Sequence, residues 1–358
     1  MSIPARITAR ARRRLAALTS AVVLGATLAA CSSSAGSTGS GPTGGSGGQS
    51  NVTLAFGFQT ADYPALLEAS GLFKDLPYKL ETPVISGPAA QISALYSKAT
   101  DVGLVGENTA AFEAANADED WSKTGPKIYT IGGFSAKDAP YPAPSLFVRK
   151  SANIKTLQDL KGKSISYNFG GNIYAGYVKV LAQAGLTVHD IKPVQLPDNQ
   201  AAAAAFVAGQ VDAVVTGYAQ IKRVVDSGEA VRLATNEDLG IAGGAGFITR
   251  ADVLKDPGKL SAIRDFFSRF SKFYSDWYPN NEAAVEKVYQ DVQKQTPELA
   301  KINWENGAKS RLYKVGDPSF IARQQAIVDA AYAAGGVKHK RNVSVVFNPI
   351  IDPQSVPR

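Results

Sequence analysis

Residues 51–57, Asn-Val-Thr-Leu-Ala-Phe-Gly, form a short apolar run that stops at a glycine. Residues 63–70 follow with a helical pattern and end at Gly71, a residue suited to the left-handed turn just past a helix. The alternation then continues. The pattern predicts strands over 78–84 and 101–105, and helices over 88–97 and 109–116, with Pro88 fitted to a first helical turn. Strand and helix alternating in this way mark βαβ units and a mostly parallel sheet.

Working outward, the same rhythm returns. Strands are expected over 128–133, 145–149, 164–168, 193–196, 213–216 and 231–234, with helices over 173–184, 200–208 and 219–227. Residues 246–250 read as a return crossing to the first unit. The remainder reads as mainly helical: 257–277, 281–295, a short helix around 305–311, and 318–334. The aromatic residues Phe266, Phe267, Phe270, Phe273, Tyr274 and Trp277 recur at helical spacing, which is core packing. These patterns predict an α/β protein of two lobes with mostly parallel sheets, hinge-linked near Arg149 and Gly246, with a helical C-terminal part. Lobe I takes 51–144 and 246–358, and lobe II takes 145–245.

Composition narrows the function. The 358 residues are 45% hydrophobic and 19% charged, enough to bury two cores. One cysteine excludes an internal disulfide, and two histidines, His189 and His339, leave little material for zinc or histidine catalysis. No metal or cofactor is expected. The formal charge is +7, but Arg6, Arg10, Arg12, Arg13 and Arg14 all precede the first acid. Taking away those five arginines leaves 33 basic against 31 acidic residues. A body so near neutrality lacks the basic face that nucleic acid requires.

The first thirty residues read as an address. A basic segment, 1–14, precedes the sixteen-residue apolar run 15–30, shorter than the ~20 residues of a spanning helix. The run ends in Leu28-Ala29-Ala30-Cys31, which resembles a bacterial lipobox. That resemblance implies cleavage before Cys31 and a lipid-bearing cysteine, anchored extracytoplasmically to the cell membrane without a spanning helix. Residues 31–50 then form a Gly/Ser-rich tether reaching roughly 25 Å.

Glycines sit just past the expected strands: Gly57, Gly87, Gly106, Gly170, Gly171 and Gly217. In open α/β sheets ligands gather at the carboxyl ends of strands, where helix N-termini favour anions. These loops therefore predict a cleft between two lobes.

Along 51–346 the chain resembles the periplasmic solute-binding proteins of ABC importers, in the aliphatic-sulfonate, taurine and nitrate group. The residues that carry the resemblance include Gly57-Phe58-Gln59, Ser86-Gly87-Pro88, and Asp101-Val102-Gly103 with Gly106-Glu107-Asn108-Thr109. They continue through Leu157-Gln-Asp-Leu-Lys-Gly-Lys163, Asn168-Phe169-Gly170-Gly171-Asn172 and Ala204 to Asp212. Thr216-Gly217-Tyr218-Ala219-Gln220 departs from the group's usual tryptophan and Asp-Pro-Tyr. The resemblance implies a type II periplasmic-binding fold that closes on a small organic anion, and a monomer that delivers it to an ABC permease and its ATPase. An aliphatic sulfonate is the first expectation. Nitrate, taurine or a larger aromatic compound are alternatives.

The expected donors are Gln59, Asn108, Thr109, Gly171, Asn172 and Thr216, since a sulfonate can be held by several neutral N–H and O–H groups. Gly87, Asn168 and Gly170 belong to the loops facing the ligand. Phe58, Tyr174 and Tyr218 are expected to wall its organic part. No catalytic residue is expected. Relatives on this fold that cleave aryl sulfinates use a cleft thiol, and those that form thiamine pyrimidine use a cysteine-rich motif and a histidine.

Overall fold

The computed structural model describes residues 51–136, 139–141 and 143–350. The leader, Cys31 and the tether lie outside the described residues. From residue 51 the chain runs β1 (Thr53–Gly57), α1 (Asp62–Ser70), β2 (Lys79–Glu81), α2 (Pro88–Tyr96), β3 (Val102–Gly106) and α3 (Thr109–Asn116). A single turn, α4 (Trp121–Thr124), leads to β4 (Ile128–Ala136). The chain then crosses to β5 (Ser145–Arg149), β6 (Ser164–Asn168), α5 (Asn172–Ala184), β7 (Lys192–Leu196) and α6 (Asn199–Val207). This part closes with β8 (Ala213–Thr216), α7 (Tyr218–Asp226) and β9 (Ala230–Ala234). It returns through β10 (Ala245–Arg250) to α8 (Pro257–Lys272), α9 (Tyr278–Asn280), α10 (Glu282–Gln293), α11 (Pro297–Gly307), β11 (Ser310–Tyr313) and α12 (Pro318–Ala333).

The strands make two sheets, ordered β11-β4-β10-β3-β1-β2 and β7-β6-β8-β5-β9. Both are mixed rather than mostly parallel. β10 lies antiparallel between β3 and β4, and β11 runs antiparallel along β4. In the second sheet β5 is antiparallel to both β8 and β9. The cause is topological. A strand that crosses from one sheet and inserts beside a βα-wound set enters from the opposite end, so β5 and β10 each run against their neighbours.

Two further expectations change. β4 ends at Ala136 and β5 starts at Ser145, while β9 ends at Ala234 and β10 starts at Ala245, so Arg149 lies at the far end of β5 and Gly246 inside β10. A short helix around 305–311 gives way to the end of α11 and to β11. Thr296 caps α11 by accepting from Leu299 N at 3.3 Å, with Pro297 at the first turn.

The cores follow strand alternation. Leu146 and Val148 face one cluster with α5, while Phe147 and Val214 face another with α6 and α7. A third cluster sets Phe56, Leu104 and Phe247 against Phe266, Phe267 and Phe270 of α8. Fully burying each such phenylalanine contributes roughly 1.5–3 kcal/mol. The largest cluster is shared: α2 and α3 of the first lobe, α5 of the second and α12 bury their apolar faces together. α12 therefore ties the lobes at their backs. Among the described residues no helix is long and apolar enough to cross a membrane.

Candidate functional site

The glycine turns of the two lobes face each other. A Cβ added at Gly106, the last residue of β3, would lie 2.5 Å from Asn172 N and 2.7 Å from Asn172 Oδ1. One added at Gly171 would lie 3.0 Å from Pro88 Cγ. Gly87 combines both demands made of a glycine: its φ is +83°, and its α-carbon packs on the Pro197 carbonyl of the opposite lobe. Ser86 Oγ donates to Asp198 Oδ2 at 2.7 Å, and Asn172 Nδ2 donates to Gly244 O at 2.7 Å. The lobes are thus in contact around a cavity of about 320 Å³.

Helix ends from lobe II line that cavity. Gly171 is the N-cap of α5 and supplies no capping side chain. The Ala175 N–H donates to Gly171 O at 2.9 Å to start the helix, so the N–H groups ahead of it are not used by the helix ladder. Gly217 likewise leaves α7 uncapped. Both glycines lie on the cavity wall. α6 differs: the Asp198 side chain accepts from Ala201 N at 2.8 Å and closes that end.

Side-chain amides complete the lining. Gln59 lines the cavity, and its Nε2 donates to Leu104 O at 3.0 Å. Asn172 spends its NH2 on Gly244 O, and its Oδ1 has no partner. Asn199 is the reverse. Its Oδ1 accepts from Thr216 Oγ1 at 2.9 Å, leaving the NH2. Asn168 is only 3% exposed, lines the cavity, and its Oδ1 is unpartnered.

Of the residues expected from sequence, Gln59, Asn168, Gly171 and Asn172 come together on this wall. Gln59 and Asn172, expected as donors, each commit one amide N–H to a backbone carbonyl of the protein instead. The others stand elsewhere. Phe58 is a core residue, stacked on Phe56 at 4.9 Å and on Tyr63 at 5.4 Å. Asn108 turns away to donate to Gln324 Oε1 of α12 at 2.6 Å, and Thr109 is buried beside it. Gly87 and Gly170 serve the contact between lobes, with a Gly170 Cβ 3.5 Å from Pro88 Cβ. Thr216 is buried behind Asn199 and positions it. Tyr174 sits among Tyr167, Phe169 and Tyr177 and donates to Gly336 O. Tyr218 stacks on Tyr141 at 5.0 Å and donates to Asp226 Oδ1 at 2.6 Å.

Sequence reasoning missed Thr60, Tyr63 and Asn199, which line the cavity. All three follow strand ends, and that position was the available signal. Two further chambers, of about 270 Å³ and 340 Å³, share wall residues with the first. The 270 Å³ chamber adds Asp62, Tyr289 and Gln293, and the 340 Å³ one adds Tyr141, Tyr274 and Tyr278. No lysine, arginine or histidine is among the described residues lining the three; the charged ones are Asp62 and Asp198. Burial raises the Asp62 carboxyl above the usual aspartate range, against hydrogen bonds from Thr60 and Gln293 that pull it down. Glu107, just past β3, is 1% exposed and accepts from the Tyr313 hydroxyl. Burial raises its carboxyl too.

Comparison with known proteins places this geometry. Residues 137–280 match the family described as NMT1/THI5 like. A putative aliphatic sulfonates-binding protein of Escherichia coli (strain K12) is 32% identical over 130 residues, which is 36% of this chain and 36% of that one. The match thus spans about a third of that relative. Among solved structures, the alkanesulfonate-binding protein SsuA from Xanthomonas axonopodis pv. citri, bound to MOPS, superposes with a TM-score of 0.67. The superposition covers 82% of this chain and 97% of that one at 22% identity. The desulfurization enzyme DSZB shares the fold at a TM-score of 0.51 and 13% identity, over 83% and 96% of the two chains.

Proposed function

We propose, from the match of residues 137–280 to the NMT1/THI5-like family and a body with the type II periplasmic-binding fold, that the chain is an extracytoplasmic solute-binding protein. It binds a small organic anion, an aliphatic sulfonate first, in the cavity between its lobes. It delivers that anion to an ABC permease and its ATPase. Cys31 carries the lipid that holds it at the membrane.

One observation carries the reading: two uncapped helix N-termini, α5 and α7, and the Asn199 NH2 line one interlobe cavity with no basic side chain among its described lining residues. Unused backbone N–H groups and the positive ends of helix dipoles hold anions without a counter-charge. A sulfonate fits such a set, because it stays ionised and offers three acceptor oxygens. The volume points the same way. About 320 Å³ is some ten times the ~30 Å³ share of one water, more than nitrate alone would fill. The relatives, an alkanesulfonate-binding and a putative aliphatic sulfonates-binding protein, agree with this ligand class.

Catalysis on the same fold is the second reading, and the shared architecture with DSZB keeps it in view. The described lining residues include no cysteine and no histidine, so binding accounts for them better. Titration of the full chain with ethanesulfonate, propanesulfonate and nitrate tests the proposal. A sulfonate raises the melting temperature by mass action and gives a saturable heat of binding. Turnover of a sulfonate or sulfinate, or no response to any anion, contradicts it.

A further inference from the structure

We infer that Gln220 of α7 is the residue that limits ligand length, because it stands between the anion cavity and a separate apolar-walled groove along the same seam. This rests on the reading of the cavity as an anion site and adds what bounds the organic part of the guest.

The groove, of about 400 Å³, lies between α6 and α7 of lobe II and α10 and α11 of lobe I. Ala204, Val207, Ala219 and Leu299 supply its apolar surface. Among the described residues, Gln220 alone lines both this groove and the anion cavity. The 270 Å³ chamber borders both spaces, and Gln220 is on its wall as well. A chain leaving the anion cavity for the groove therefore meets Gln220 by either route.

The local sequence puts the side chain there. α7 has Gly217 as its N-cap, and Gln220 is the third residue of the helix. Side chains on a helix lean toward its N-terminus, so that of Gln220 is thrown back over the opening. A Cβ built on Gly217 would lie 2.6 Å from Gln220 Oε1. The missing side chain at 217 is thus the room into which the amide folds. Both residues belong to 216–220, the stretch in which the chain departs from the group it resembles. With its head at the α5 and α7 N-termini, an alkyl chain gains about fourfold in affinity for each methylene it buries. A chain that outgrows the cavity has the groove as its next apolar wall. The polar amide stands first, and displacing it offsets that gain.

The test titrates the full chain by calorimetry with ethane-, butane-, hexane- and octanesulfonate. In the native chain affinity should rise with length and then level off, with octanesulfonate no tighter than hexanesulfonate. In Gln220→Ala the ratio of octanesulfonate to ethanesulfonate affinity should rise tenfold or more. Gln220 is exposed and alanine favours helix, so the variant should fold, and its melting temperature checks that. Adding Ala204→Gln refills the groove from an exposed position on α6 and should restore the native ratio. An unchanged ratio in a folded Gln220→Ala, an equal change for all four probes, or a gain that survives Ala204→Gln overturns the inference and leaves the anion site standing. So does a native affinity that climbs without a break to octanesulfonate. Failure of all four sulfonates to bind the native chain overturns the anion reading, and the inference with it.

Discussion

The two lips of the cleft start from the same parts and end differently. Each lobe brings strand ends, glycine turns and helix N-termini to the cavity. In lobe II, α5 and α7 begin at glycines with no capping side chain, so their free N–H groups are left for a guest. At α2 and α3 of lobe I the equivalent ends are occupied. α2 starts at Gly87-Pro88, which packs on Pro197 and Gly171, and Asn108 ahead of α3 is drawn to Gln324 with Glu107 buried alongside. The lesson is that a strand-glycine-helix turn supplies only the possibility of an anion site. What the cap residue faces decides whether the dipole is offered or spent.

The largest effect should come from breaking the contact between the lips. Gly106→Ala places a methyl group 2.5 Å from Asn172 N, at the seam rather than in either core. Overpacking of this kind costs roughly 1–3 kcal/mol, or up to about a hundredfold in an equilibrium. The expected result is a loss of sulfonate affinity of about thirtyfold or more by calorimetry. The melting temperature of the free chain should change little, because an open arrangement relieves the clash. Native affinity in this variant would show that the seam plays no part in binding.

Asn168→Leu separates the cavity wall from the fold. The Asn168 oxygen is buried and unpartnered in the free chain, so the substitution removes no existing hydrogen bond from that atom. A buried polar group without a partner costs about 1–3 kcal/mol. The variant should therefore melt no lower than the native chain while binding sulfonate about tenfold more weakly. A lower melting temperature with unchanged affinity would make Asn168 structural.

Much of this architecture was legible in the sequence. β5, β6, β8 and α3 fall on the spans expected from apolar runs closed by polar or glycine residues. β11 was not legible. Ser310-Arg-Leu-Tyr313 has no alternation long enough to separate strand from helix, and its identity comes from pairing with β4, over 170 residues away in the chain. The Thr296-Pro297-Glu298 start of α11 was a readable cap signal that the expected helix passed over. At the site, strand ends were found and side-chain directions were not. Asn108 and Asn172 look alike in sequence, each beside a helix start. Gln324, 216 residues further on, turns one inward, and Gly244 fixes the other on the wall.

Glu107 sharpens the comparison through pH. Burial raises its folded carboxyl above the unfolded value, so the native state holds that proton more tightly. Its contribution to stability is then fully present below the ordinary glutamate range of about 4.3. It is lost as pH rises through the elevated value. Glu107→Gln removes the loss and keeps an oxygen for the Tyr313 hydroxyl. The variant should melt above the native chain at pH 8, with the gap closing near pH 4. A gap that is constant across that range would assign the effect to packing instead of charge.

The smallest effect should lie at the outer rim, where two contacts also join the lobes. Ser86 Oγ donates to Asp198 at 2.7 Å, and Lys222 Nζ of α7 meets Glu298 of α11 at 2.9 Å. The Ser86 bond is open to solvent, which brings it down to the typical 0.5–1.5 kcal/mol, about that of a neutral hydrogen bond, so Ser86→Ala should weaken sulfonate binding two- to tenfold. Lys222 is different. Glu298 is 69% exposed, and Lys222 also pairs with Asp226 of its own helix. An ion pair so open to water and salt adds little, and its lysine is already partnered when the lips part. Lys222→Ala should therefore change affinity by less than about threefold, and raising the salt from 0.05 to 0.5 M should erase the difference. A larger, salt-independent loss would mean that α7 is held in place by this contact, and that the open helix end of lobe II depends on lobe I to position it.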